Sequence, residues 1–229
     1  NYRSYYIVCK TKKLYMRRLY FIIFILFLST TNALGVDKDK IVMEEFKSYL
    51  TSLKSVAIDF VQYDSRGGQA EGRLIIVKPR NFLCNYYEPY PLVIAGNKSF
   101  VSVYDFDLEQ ISRLEAKENM FNFLLTDQVD LEKHFNILSA KKTASELYVE
   151  LYHKESERVT KITISIAPKS LKSIVTDEAD GNIITLDIKH ISNITNVNND
   201  LFVLKNPEIY GAPDRMDHMA LEKKYKIAN

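Results

Sequence analysis

The sequence predicts a mainly β protein, an incomplete antiparallel β-barrel of about eleven strands with an α-helical lid. Short apolar runs with period-2 alternation recur at hairpin spacing from Val56 to Leu204, punctuated by Gly, Pro, Asn and Asp. Two stretches, 37–54 and 118–134, carry helical spacing instead. Aromatic residues are abundant, with 15 Tyr and 12 Phe but no Trp. A sheet of this size that curls without closing has an apolar inner face that needs a plug, and the two helical stretches are the plugs available. The product is a cavity with a lid, suited to an apolar ligand.

The N-terminal 35 residues are set apart from this domain. Arg17-Arg18 precedes an unbroken apolar run of ten residues, Leu19 to Leu28. Small residues follow, with Thr31-Asn32-Ala33 or Ala33-Leu34-Gly35 at the cleavage position. Basic, apolar and small-residue segments in that order read as a secretory signal peptide, and ten residues fall short of the about 20 that a membrane span needs. Translation is expected to begin at Met16. Residues 1–15 are then an upstream artefact, 16–35 the signal peptide, 36–205 the folded domain and 206–229 an extended, loosely held tail.

Cleavage after Gly35 leaves 194 residues, enough for one β domain with a sizeable core. It also reverses the charge. The first 35 residues hold six Lys or Arg and no acid, so the +2 of the whole chain becomes 25 basic against 29 acidic residues, or −4. A mildly acidic chain without a basic block gives no electrostatic case for nucleic acid. Cys9 precedes Met16, which leaves Cys84 alone and excludes an internal disulfide. The cleavage site is not followed by the Cys that bacterial lipidation requires, so the product is read as soluble and not as a lipoprotein.

Within the domain, Ile41, Val42, Phe46, Tyr49, Leu50 and Leu53 form one stripe of an amphipathic helix. Val56, Ile58, Phe60 and Gln62 share one face of the first strand. Gly72 to Pro89 is a central hairpin. Leu74, Ile76 and Lys78 share one face of its first strand, and Phe82, Cys84 and Tyr86 one face of the second. Pro79 lacks an N–H and marks the corner between them. Short strands follow at Leu92–Ala95, Phe100–Tyr104 and Leu108–Leu114.

Met120, Phe123 and Leu124, with Phe121 and Leu125 beside them, then form a second helical stripe, and Asp127 to His134 reads as a short helix or turn. Strands resume at Phe135–Lys141, Glu146–Lys154, Val159–Ala167, Leu171–Glu178 and Ile183–Ile194, with a last strand at Phe202–Leu204. Asp180-Gly181 is the strongest hairpin signal and predicts a type I′ turn.

The residues carry little catalytic chemistry. His134, His153, His190 and His218 have no metal-ligand spacing and read as surface or core residues. There is no G-x-S-x-G, no Walker loop and no G-x-G-x-x-G. Asp105 and Asp107 flank Phe106 in a turn, where Asp is expected for local hydrogen bonding. Cys84 on an apolar strand face reads as a small buried hydrophobe. No catalytic residue, metal or cofactor is assigned.

The order Phe60-Val61-Gln62, Gly72-Arg73-Leu74, Lys78-Pro79, Phe82, Glu88-Pro89, Gly96-Asn97-Lys98 and Tyr104-Asp105 through Leu108-Glu109-Gln110 resembles the periplasmic outer-membrane lipoprotein carrier family, LolA. The resemblance covers roughly residues 40–125 by motif and the remainder by strand rhythm. It implies a half-barrel under an α-helical lid and a periplasmic, monomeric, non-enzymatic chaperone. Such a chaperone takes triacylated lipoproteins from an inner-membrane LolCDE-type ABC transporter to an outer-membrane LolB-type receptor. The absent lipidation Cys argues against the lipid-anchored receptor itself.

The resemblance makes Ile58, Phe60, Leu74, Ile76, Phe82, Cys84 and Tyr86 the cavity wall, and Met120, Phe121, Phe123, Leu124 and Leu125 the lid. The family's lid-tethering Arg before the corner Pro is Lys78 here, with Arg80 just after Pro79. Lys lacks the planar fork of Arg, which predicts an altered tether. A family aromatic two residues after Phe82 is Cys84, a smaller wall residue. The same half-barrel also resembles the amino-terminal domain of RseB-type envelope-stress regulators, which bind lipid or protein signals. A secreted hydrolase built on the aspartates would need a constellation that the sequence does not contain.

Overall fold

The computed structural model describes residues 38–115, 122–126 and 131–215. The expected signal peptide, the lid residues Met120 and Phe121, His218 and the tail beyond residue 215 lie outside that range. Helix α1 (Lys38–Ser52) leads into six strands: β1 (Ser55–Asp64), β2 (Gln69–Val77), β3 (Asn81–Tyr86), β4 (Leu92–Gly96), β5 (Phe100–Asp105) and β6 (Gln110–Glu115). Two single-turn helices follow, α2 (Asn122–Leu125) and α3 (Leu131–His134). Five more strands complete the sheet: β7 (Phe135–Lys142), β8 (Glu146–His153), β9 (Val159–Ile166), β10 (Lys169–Asp177) and β11 (Ile183–Asn193). A 3-10 helix (Asn199–Phe202) and helix α4 (Pro207–Tyr210) end the described chain.

The eleven strands form one sheet in the order β6-β5-β4-β3-β2-β1-β11-β10-β9-β8-β7. It consists of two antiparallel meanders joined where β1 pairs with β11, from Val56 opposite Asn193 to Asp64 opposite Ile184. Among the described residues β6 and β7 are the two edges, so the barrel is incomplete. A bulge between Asp59 and Phe60 shifts the register against β11, pairing Ile58 with Ile191 and Phe60 with Ile188. The bulge keeps both isoleucines on the side of Ile58 and Phe60 although three positions separate them.

Each face of the sheet has its own core. On the inner face α1 buries Val42, Met43, Phe46, Tyr49 and Leu50 in a cluster with Leu147, Leu151, Ile162, Ile164 and Ile174. Polar ties pin the helix there. The Leu171 N–H donates to Tyr49 Oη at 2.6 Å. Glu45 lies 2.6 Å from Lys142 and 3.3 Å from Lys169, and Lys47 lies 2.6 Å from Glu132. On the outer face Ile75, Leu83, Val93 and Tyr104 pack with Ile194, Phe202 and Leu204 from the chain after β11. Arg73, also on the outer face and 2 % exposed, makes a two-pronged ion pair with Asp59, at 2.5 Å from Nε and 2.8 Å from Nη2. Burial makes loss of either partner costly, because it strands the other charge.

Several expectations change. The strand expected over Leu108–Leu114 is shifted to Gln110–Glu115, because Leu108 and Glu109 belong to the turn and Glu109 has a φ of 53°. The strand expected at Phe202–Leu204 is absent. Asn198 instead caps a 3-10 helix, its side chain accepting from the Asp200 N–H, and Phe202 drops into the outer core. The first residues of the expected extended tail form α4, with Asn206 as cap and Pro207 at the first position.

The β10–β11 connection is a five-residue loop, Glu178 to Asn182, with positive φ at Gly181 and not at Asp180, so it is not type I′. A second loop holds it open. Arg66 reaches Asp180 at 2.7 Å, and the Ser65 hydroxyl donates to Asn182 Oδ1 at 2.7 Å.

Candidate functional site

The inner face of β1–β6, with β10 and β11, borders a cavity of about 690 Å³. That size lies within the roughly 300–1,000 Å³ typical of small-molecule sites. Its wall follows from strand alternation. Ile58, Phe60 and Gln62 of β1, Leu74 and Ile76 of β2, and Phe82, Cys84 and Tyr86 of β3 all line it. All seven residues of the expected wall therefore border one space. Of the expected lid, Leu124 and Leu125 line the cavity and are buried. Phe123 belongs to α2.

Two glycines let the aromatic rings lie flat against the sheet. A Cβ on Gly96 would sit 2.0 Å from Phe82 Cε1, and one on Gly72 would sit 2.8 Å from Phe60 Cζ and 2.6 Å from the Asn85 carbonyl oxygen. Each ring covers the glycine of a neighbouring strand, since Phe82 pairs with Gly96 and Phe60 with Gly72. The Phe60 ring also meets Tyr86 edge-on, with centroids 5.4 Å apart. The motif glycines thus shape the wall by allowing close approach.

The polar groups in the wall are few. Burial pushes the Cys84 thiol up to about 12, against a smaller opposing effect of its bond with Tyr86, so it is a neutral wall group and not a nucleophile. Burial also raises the Tyr86 phenol, with Cys84 adding to the effect. The Tyr86 hydroxyl donates to Gln62 Oε1 at 2.8 Å. On the opposite strand Thr176 lies 3.4 Å from Thr160, and Glu178 pairs with Arg158 at 2.8 Å. The described residues contain no group of three His, Cys, Asp or Glu able to hold a metal ion. No described helix is long and apolar enough to cross a membrane.

The corner between β2 and β3 touches both helices that border the inner face. Lys78 Nζ donates to the Leu50 carbonyl at 2.6 Å, in the last turn of α1. A cation there complements the helix dipole and satisfies a terminal carbonyl. The Lys78–Pro79 bond is cis, and Arg80 follows at φ 65°. The Arg80 side chain is exposed, but its backbone N–H donates to the Leu125 carbonyl at 2.7 Å. The contact from Arg80 to α2 is thus made by its backbone.

The sequence reading missed half of the wall. Leu171 and Ile174 of β10, and Ile184, Leu186 and Ile188 of β11, face the same space. So do Ile94, Val101, Val103 and Leu114 of β4–β6, together with Glu115. Alternation in β11 was the available signal. Without the β1–β11 pairing nothing in the sequence says that its apolar face meets that of β1.

Comparison with known proteins places the chain. The family model of the outer membrane lipoprotein carrier protein LolA matches residues 51–205. An uncharacterized protein of Rickettsia prowazekii (strain Madrid E) is 42 % identical over 215 residues, covering 93 % of this chain and 100 % of that protein. The outer-membrane lipoprotein carrier protein of Nitrosospira multiformis is 29 % identical over 145 residues, covering 60 % of this chain and 67 % of the relative. Among solved structures, a LolA superfamily protein from Nitrosomonas europaea is similar with a TM-score of 0.43 and 10 % identity, covering 70 % of this chain and 97 % of that one.

Proposed function

This chain belongs to the LolA family of outer membrane lipoprotein carrier proteins, and we propose that it carries triacylated lipoproteins through the periplasm, with their acyl chains shielded in the cavity of the inner face. The observation that carries this reading is the cavity itself, about 690 Å³ of space lined mainly by Ile, Leu, Val and Phe from both meanders. Each buried CH₂ of an acyl chain gains about 0.8 kcal/mol over water, so exposed chains do not cross an aqueous compartment unescorted. A wall of hydrocarbon side chains supplies that gain without chemistry, and the protein is read as a carrier and not an enzyme.

The donor in this reading is a LolCDE-type transporter in the inner membrane and the acceptor a LolB-type receptor in the outer membrane. Leu124 and Leu125 act as part of the lid, and the Arg80 N–H bond to Leu125 holds α2 near the corner when the cavity is empty. Loading must displace that lid, and closure hides an apolar patch that would otherwise drive aggregation.

Native mass spectrometry of the protein purified from the periplasm, with lipid extraction, tests the reading. A triacylated lipoprotein bound one-to-one supports it. A protein that is empty and also fails to extract lipoprotein from membranes overturns it. Phe82→Glu places a carboxylate in the wall, and transfer to receptor-bearing vesicles should fall while the fold persists. Undiminished transfer by that variant would mean that the acyl chains lie elsewhere.

A further inference from the structure

Gln62 is a motif residue that an apolar cavity does not explain. It stands on the cavity face of β1 after Ile58 and Phe60, where alternation would place another hydrocarbon. Its Oε1 accepts the Tyr86 hydroxyl at 2.8 Å. A primary amide has two donors on its nitrogen, and neither has a hydrogen-bond partner among the described residues. Gln62 is half-buried and its Nε2 is not among the buried atoms left without a partner, so water can meet these donors, but a ligand made only of hydrocarbon that covered them would strip that water away at a cost. A ligand with a carbonyl oxygen would remove it.

The position of the pair along the strands sharpens this. Running from α1 along the inner face, β1 presents Val56, Ile58, Phe60 and then Gln62, while β3 presents Phe82, Cys84 and then Tyr86. The α1 end of the cavity, with Ile76, Phe82, Leu124 and Leu125, is hydrocarbon except for the exposed Glu115, a carboxylate without donors that the register of β3 to β6 puts beside Phe82. Gln62 and Tyr86 stand at the other end. Across the cavity Thr176 is already engaged with Thr160, and Glu178 with Arg158. The Gln62 amide therefore puts its two donors at the end of the cavity away from α1.

We propose that the Gln62 amide, held by Tyr86, is a carbonyl-binding subsite that recognises the ester or amide linkage of an acylated ligand and points its chains toward α1. The proposal rests on the carrier reading and adds to it that the cavity reads a linkage as well as burying hydrocarbon. Tyr86 acts as a positioning residue. With its hydroxyl bonded to Oε1, the amide plane is set and the –NH₂ group faces the ligand.

Two probes of equal chain length test it. One is a cysteinyl peptide carrying an S-linked glyceryl group with two palmitoyl esters, and the other is the analogue with both esters replaced by ethers, which removes the carbonyl oxygens. Affinities for the full folded domain are read by displacement of a fluorescent fatty acid. The wild type should prefer the ester by roughly five- to tenfold, the worth of one net hydrogen bond. Gln62→Leu should erase that preference while keeping or improving ether binding, with an unchanged near-ultraviolet circular dichroism spectrum. Tyr86→Phe, which keeps the ring and frees the amide, should reduce the preference without abolishing it. Equal binding of ester and ether by the wild type, or an intact preference in Gln62→Leu, overturns the subsite and leaves the carrier intact. Uptake of neither probe overturns both.

Discussion

In β7–β9 the inward side chains Leu147, Val149, Leu151, Ile162 and Ile164 are buried in one continuous core with Phe46 and Leu50 of α1, whereas in β1–β6 only Val56, Ile58, Ile76 and Phe82 are buried in that core, and most inward side chains border a cavity that β10 and β11 also line. The two meanders alternate alike, although β3–β6 have only five or six residues against eight to eleven in β7–β11. The difference lies in where the helix is pinned. Tyr49, Glu45 and Lys47 tie α1 to β7, β10 and α3, all after residue 130. A polar tie to the first meander runs from Lys78 to the Leu50 carbonyl at the end of the helix. One amphipathic helix does not cover the whole inner face of an eleven-stranded sheet, and its polar ties set which part it covers. Next to the part it covers, Phe60 and Phe82 lie on glycines and border the cavity, with β10 and β11 across from them.

The largest expected effect sharpens the contrast from the filled side. Phe46 is fully buried, and Phe46→Ala should cost about 3–5 kcal/mol in urea unfolding, because the cavity it leaves is enclosed. Beside the cavity, Gly96→Ala forces the Phe82 ring off the sheet and should cost about 1–3 kcal/mol. The displaced ring has the cavity to move into, so the same variant should also take up less of a fluorescent fatty acid. Leu74→Ala, in the cavity wall, should cost only about 1–2 kcal/mol, since the space it leaves joins one that already exists. A Leu74→Ala penalty equal to that of Phe46→Ala would mean that both regions are packed alike.

The smallest effect concerns the pinning of α1. The bond with Lys142, and then Lys169, holds the Glu45 carboxyl below the ordinary glutamate range, with burial opposing. A depressed folded value means that the stabilisation is complete above the unfolded value near 4.3 and is lost as pH falls through the folded one. Glu45→Gln should therefore flatten the acid limb of a stability–pH profile by no more than about 1 kcal/mol, while leaving neutral-pH ligand uptake unchanged.

Much of this was legible in the residues. Val56 to Gln62, Leu74 to Lys78 and Phe82 to Tyr86 alternate so regularly that the residues sharing a face follow from the period, and the resemblance said which face is the wall; the seven residues it named border the cavity. The Asp180-Gly181 turn misled because a local signal was overridden from a distance. Arg66 and Ser65, more than 110 positions away, hold a wider loop. Phe202 misled for a related reason. An apolar residue between turn signals reads as a strand, and the Asn198 cap with an apolar pocket on the outer face made it a 3-10 turn instead.

The sequence alone determined the mainly β class, the approximate bounds of the eleven strands, an amphipathic helix expected over 37–54 and observed over Lys38–Ser52, and the residues that share a face in each early strand, because these depend on periodicity and turn chemistry within a few residues. Tertiary structure decided the join of β1 to β11, the bulge that keeps Ile188 and Ile191 on one face, the part of the sheet that α1 covers, and the meeting of Gln62 with Tyr86. Each of these depends on pairs 24 to more than 120 positions apart. Their energies come from burial and ion-pair geometry that exist only once the sheet has curled.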